Sequence, residues 1–196
     1  MKTSNLFKAF SAVVAAIFIL ANTAFAQTTI LVVNQERVKR ESEVGKHINR
    51  QLESIAKQMD AELKSQVNPI VSERDTLMGE LQNMSVDALK TRPDLVQRAQ
   101  STQEKMKKAE LEARYKQLEL QKTEQTAQQQ VNTKLGEILE ALVKERNADV
   151  ILDRSLVIYS GPNTDVTDVV ISRLNAQMRT VPVTRVRVPR QQAPQQ

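Results

Sequence analysis

A chain of 196 residues with 28 Lys and Arg against 23 Asp and Glu carries a net charge of +5, with both signs interspersed along its length. So small and dispersed an excess excludes the clustered basic face of a nucleic-acid binder. The absence of cysteine excludes disulfides, thiolate metal sites and an N-terminal lipidated cysteine.

The chain opens with Lys2 and Lys8 ahead of an uncharged apolar run over residues 9–21, closed by Ala24-Phe25-Ala26. This is the pattern of a cleaved export signal, and it predicts a leader over residues 1–26 and a periplasmic destination. The run is shorter than the ~20 apolar residues a membrane span needs. Phe7, Phe10, Phe18 and Phe25 are the only phenylalanines and all fall in the leader, so Tyr115 and Tyr159 are the only aromatics beyond it. A chain so poor in bulky side chains does not build the core of an ordinary enzyme domain, and the scarcity points to an elongated molecule.

Residues 27–42 form the first part of a base. Thr29-Ile30-Leu31-Val32-Val33 reads as a buried strand, and Asn34 is placed to cap a short helix over residues 35–40. The strand's partners lie at the other end of the chain. Residues 148–153 and 156–159 are two further apolar runs, so the base is assembled from both chain ends, with Ile30, Val32, Val150, Leu152, Val157 and Tyr159 as its candidate contact residues.

Residues 43–146 between them are rich in Gln, Lys, Glu, Ala and Leu and predict an almost wholly helical hairpin. Its first half carries an apolar stripe from Val44 through Ile48, Leu52, Ile55, Met59 and Leu63 to Leu77, Leu81 and Met84, repeating early at eleven residues. The second half carries Ala99, Met106, Ala113, Leu120 and Ala127 at seven-residue intervals, then Val131, Leu135, Ile138 and Leu142. The large branched residues sit near the base and the Ala-rich stretch lies outward, which predicts a thin, flexible outer hairpin. Pro93 places the tip within residues 85–94. Pro69 removes a helical hydrogen bond in mid-arm and is the candidate hinge.

Residues 147–178 complete the base with the two apolar runs and a helix for which Asp165 is the expected N-cap. Residues 179–196, rich in Pro and Gln, are expected to be disordered, with alternating Val and Arg suited to adding as an edge strand on a partner. The fold class is therefore α+β, a small β-structured base carrying a long antiparallel helical hairpin.

Catalytic motifs are missing. Gly45, Gly79, Gly136 and Gly161 are the only glycines and are too scattered for a phosphate-binding loop. His47, the sole imidazole, has no nucleophile arrangement around it and reads as a surface or base-interface residue. Asp149 and Asp153 share a strand face but stand about 13 Å apart, too far to hold one ion. No catalytic residue, cofactor or metal is assigned.

The blocks Ile30-Leu31-Val32-Val33-Asn34, Val44-Gly45, residues 148–153, Val157-Ile158-Tyr159 and residues 165–170, in this order behind an export signal, resemble the Skp/OmpH family of periplasmic chaperones. The resemblance spans essentially the whole chain after the leader. It implies a homotrimer joined through the bases, with three hairpins around a cavity. It further implies an ATP-independent holdase, not an enzyme, that keeps unfolded outer-membrane proteins from aggregating in transit. On that reading, Leu77, Leu81, Met84, Lys90, Arg92, Arg98, Lys105, Met106, Lys107 and Lys108 are the client-contact candidates on arm and tip. One departure stands out: over residues 35–90 acidic residues slightly outnumber basic ones, whereas the family's better-known members have strongly basic arms. Membrane-surface or lipopolysaccharide contact is left open, with no residue assigned to it. The alternative is a structural coiled-coil adaptor or spacer of the cell envelope.

Overall fold

The computed structural model describes residues 28–190; the predicted leader and residues 191–196 lie outside the described residues. Strand β1 (Ile30–Val33) enters the centre of the base, and its last three residues are buried. It pairs in parallel with β2 (Val150–Asp153), in a register that sets Ile30 beside Val150 and Val33 beside Asp153. Parallel neighbours need a crossover connection, and here the crossover is the entire hairpin. The other edge of β1 meets Asp165 in an isolated bridge, with the Val32 N–H donating to the Thr164 carbonyl at 2.8 Å.

Asn34 ends the strand and caps helix α1 (Gln35–Glu41), its side-chain oxygen accepting from the Arg37 N–H at 2.8 Å. Buried Ser42 then caps α2 (Glu43–Gln82) by accepting from the Gly45 N–H. Gly45 is dictated by space, because a Cβ there would stand 1.7 Å from the Lys39 carbonyl oxygen. Pro69 lies inside α2, which continues through it as one helix. At 1.5 Å per residue the 40 residues of α2 run about 60 Å.

The chain reverses through the short helix α3 (Val86–Lys90), capped by Ser85, and Pro93 opens α4 (Pro93–Arg146) at a position where its missing N–H costs nothing. The return helix ends on Asn147 in the left-handed conformation, φ 47°, from which β2 begins. Finally α5 (Thr167–Gln177) lies over the root of the arm, tied to α4 by the fork of Arg173 on Glu145 at 2.6 and 2.7 Å.

One apolar core fills the base and the root. Leu31, Val33, Val38, Val44 and Ile48 meet Val131, Leu135, Ile138 and Leu142 under Val166, Val170 and Leu174. The expected strand over residues 156–159 does not form. Asp153 caps a 3₁₀ turn, Arg154–Leu156, that diverts the chain away from the sheet, leaving Leu156, Ile158 and Tyr159 exposed. The helix cap also lies one residue later than expected, at Val166, although the Asp165 carboxylate accepts from the Thr167 N–H at 2.8 Å.

The tail departs most from expectation. Residues 181–190 are not disordered: they run without regular secondary structure along the arm, beginning with Val181, buried in the core beside partly buried Val183. Local composition hid this because the tail's partners stand on helices 63 to 134 residues distant in sequence.

Candidate functional site

Along the arm, the side chains facing the partner helix change in character. On the part of α4 outward of Val131, and apart from Glu119, the closed positions fall on two interleaved heptad rows. One is the predicted row Ala99, Met106, Ala113, Leu120 and Ala127, of which only Ala127 is fully closed. The other, Leu95, Thr102, Ala109, Lys116 and Thr123, is mostly better buried, yet it went unread because three of its five members are polar. Its signal was spacing without hydrophobicity.

Toward the tip, Arg74, Leu77, Met78, Leu81, Ala99, Thr102, Gln103 and Met106 line an open, mainly apolar groove of about 300 Å³. It brings together three of the predicted contact residues. Leu77 is buried and forms the floor, Leu81 and Met106 are half-buried, and Met78, which the periodicity passed over, is 63% exposed on the rim. Met84 is half-buried at the turn. Unbranched thioether side chains suit such a groove to irregular apolar ligands.

The predicted cations divide into two sets. Lys90 and Arg92 turn to Asp87 and Asp94 within the tip, and the Arg92 guanidinium holds the Asp94 carboxyl down at about 2. Arg98 bridges the two helices through Glu73 at 2.9 Å and Glu80 at 3.2 Å. By contrast Lys105, Lys107 and Lys108 are exposed, and no salt bridge reaches them among the described residues. Lys105 and Lys108 border a shallow groove of about 550 Å³ with Gln66, Ile70, Ala109, Glu112 and Arg190.

Between the apolar groove and the core lies a polar centre. Lys116, nearly closed to solvent, reaches Glu62 at 2.5 Å across the arm. Glu119 is fully buried and is met by Arg185 at 2.8 Å and by Arg190. Burial acts to raise the Glu119 carboxyl, but hydrogen bonds from Arg190, Arg185 and the Val188 N–H outweigh it and hold the group at about 2. Hydrogen bonds from Lys116 and Arg185 likewise lower Glu62 to about 2.

At the base, Ile30 and Val150 are each 40% exposed, and with Leu156, Ile158 and Tyr159 they leave a group of large apolar side chains uncovered. The outer edge of β2 has no strand partner among the described residues. Leu152 and Val157 are half-buried. Val32 corrects expectation: as the central residue between β2 and the Asp165 bridge it is 2% exposed, so its side chain is consumed within the protomer.

His47 lies at the root, its Nε2 3.2 Å from the Val181 carbonyl. Asp149 accepts from the Thr29 N–H at 2.8 Å and so serves as a strand-end anchor. Among the described residues, no group of three or more His, Cys, Asp or Glu is placed to hold a metal ion, and no helix is long and apolar enough to cross a membrane.

Residues 29–174 match the family model described as Outer membrane protein (OmpH-like). The fold is similar to that in the crystal structure of an OmpH-like protein from Caulobacter crescentus CB15, described there as a candidate outer membrane chaperone. The TM-score is 0.67 and the identity 27%, over 85% of this chain and 95% of that one. None of the curated proteins compared matches the sequence.

Proposed function

Since this chain belongs to the OmpH-like family, we propose that it is a periplasmic, ATP-independent holdase that shelters unfolded outer-membrane proteins between helical arms and prevents their aggregation. The observation that carries this reading is the contrast along the arm. A well-packed root projects an outer half in which exposed Met78 and half-buried Leu81 and Met106 border an open apolar groove. A site of this kind has no shape to select one folded partner. It offers many weak apolar contacts, and several arms holding one chain would add them by avidity.

Assembly follows from the base. One protomer leaves Ile30, Val150, Leu156, Ile158 and Tyr159 exposed beside an open strand edge, a surface that burial against further copies would stabilise. The proposed unit is the homotrimer, with Ile30, Val150, Leu152, Val157 and Tyr159 at or near the contact. Of the predicted arm and tip cations, Lys105, Lys107 and Lys108 are free of salt bridges among the described residues and able to attract acidic client segments, whereas Lys90, Arg92 and Arg98 are already engaged.

Two measurements test this together. The leader-free protein should have a solution mass of three protomers, and at near-stoichiometric ratio it should suppress aggregation of a urea-denatured outer-membrane barrel on dilution. Unchanged aggregation would sink the holdase reading. Capture of one folded partner and no unfolded chain would favour the envelope spacer, a reading that the charge-clamped middle of the arm supports.

A further inference from the structure

The middle of the arm holds more negative charge than its own helices neutralise. Glu62, Glu112 and Glu119 converge there, and from α2 and α4 only the ammonium of Lys116 answers them. The remaining positive charge comes from the tail. Arg185 spans Glu62 at 2.9 Å and Glu119 at 2.8 Å. Arg190 reaches Glu112 at 2.7 Å and Glu119 while lying 4.8 Å from the Tyr115 ring centroid, and Arg187 approaches Glu119 at 3.7 Å from the exposed side.

Recognition extends to the main chain. The Val186 N–H donates to Thr123 Oγ1 at 2.9 Å and the Val188 N–H to Glu119 Oε1 at 3.3 Å, two alternate amides of an extended segment. Main-chain donors of this kind are present in any extended peptide, so they give affinity with little dependence on sequence, while the carboxylates select guanidinium. Pro182 and Pro189 bracket the segment and keep it from coiling, which lowers the entropy lost on docking. The whole segment lies beyond residues 29–174 of the family match.

We propose that this mid-arm groove is a peptide-binding site for an extended, arginine-bearing segment, and that residues 181–190 are its resident occupant, held in cis and displaceable by another segment of the same kind. The tail thus acts as a tethered ligand. It keeps Glu119 neutralised while the groove is otherwise unused, and a competing segment must supply both guanidinium groups and extended backbone.

The test uses the full chain carrying Arg185→Glu with Arg190→Glu, which puts like charges against the three carboxylates and leaves the groove unaltered. Amide exchange at Val186 and Val188 should become fast, while exchange at Leu31, Val32 and Val33 stays slow. A fluorescein-labelled peptide of residues 180–190 should then bind this variant at least about tenfold more tightly than the unaltered chain, equivalent to ~1.4 kcal/mol. Adding Glu119→Gln should weaken that binding by at least about tenfold, since both guanidinium groups lose a shared carboxylate partner. Continued protection of Val186 and Val188 would overturn the proposal, as would failure of the peptide to bind the released groove, or equal binding to both proteins. Should the reversed charges unfold the base, Arg185→Gln with Arg190→Gln provides the same comparison. Peptide binding is read independently of aggregation suppression, so loss of one leaves the other intact.

Discussion

The root of the arm and its outer half are built from the same two helices, yet they are held by different forces. At the root, Ile48, Leu135, Ile138 and Leu142 close against β1 and α5, and large branched side chains are removed from water on every turn. Farther out the buried positions are sparse and mixed: Met59, Leu77 and Leu95 are separated by Thr102, Lys116, Glu119 and Thr123. Ion pairs and hydrogen bonds there fix geometry while adding little net stability, because desolvation offsets most of the Coulombic gain. One hairpin is thereby anchored at its root and compliant farther out. Hydrophobic burial supplies cohesion where the arm meets the base, and directional polar contacts set the spacing of the helices where area is lacking.

The sharpest way to break this contrast is a matched pair of truncations. Leu142 and Leu95 are both fully buried. Leu142→Ala should lower the free energy of global unfolding by ~2–5 kcal/mol, as deletions in a packed core do. Leu95→Ala should leave the denaturant midpoint far less changed, and instead speed amide exchange in the outer arm, where local opening already competes. Equal midpoint shifts would show that the two halves unfold as one unit.

A second, smaller effect should come from Pro69→Ala. Restoring a donor in mid-helix stabilises α2 locally by up to ~3 kcal/mol, read as slower amide exchange around residue 69. On the holdase reading, the stiffer arm should accept a narrower range of barrel sizes. Undiminished capture of both small and large barrels would remove Pro69 as a hinge.

The smallest change in global stability should come from acid below pH 4.5. Glu62 and Glu119 both titrate well below their ordinary value of 4.5, at about 2, so their contribution is complete above 4.5 and is lost as pH falls through the folded value. The groups facing them are the cations Lys116, Arg185, Arg187 and Arg190 and the neighbouring carboxylate Glu112. Between pH 4.5 and about 2 the Val186 and Val188 amides should therefore lose protection before the base does. Simultaneous loss would mean that tail and core are coupled.

Much of this architecture was legible in local pattern. Ile30 to Val33 form a strand because a β-branched run flanked by a good helix cap has few other uses, and Asn34 caps α1 as its side chain predicts. The turn at Pro93, the root seam from Val131 to Leu142, and the pairing of the two chain ends follow from rules of the same kind. The site was less legible. Hydrophobic spacing singled out Leu77, Leu81 and Met106, which line one groove, but passed over Met78 on its rim, whose exposure depends on the side of α2 that α4 leaves open. Lys116, Glu119 and Thr123 look like solvated helix positions until a third element covers them.

Sequence alone determined the elements, the hairpin, the meeting of the termini and the resemblance to the OmpH-like family, because helix propensity, turn chemistry and apolar periodicity act over a few residues at a time. Three outcomes came from packing in three dimensions: Leu156, Ile158 and Tyr159 stay outside the sheet, Val32 is enclosed, and the tail lies along the arm. Those outcomes rest on long-range complementarity. Arg185 becomes ordered when Glu62 and Glu119 arrive together from two helices, and no short window of the chain holds all three.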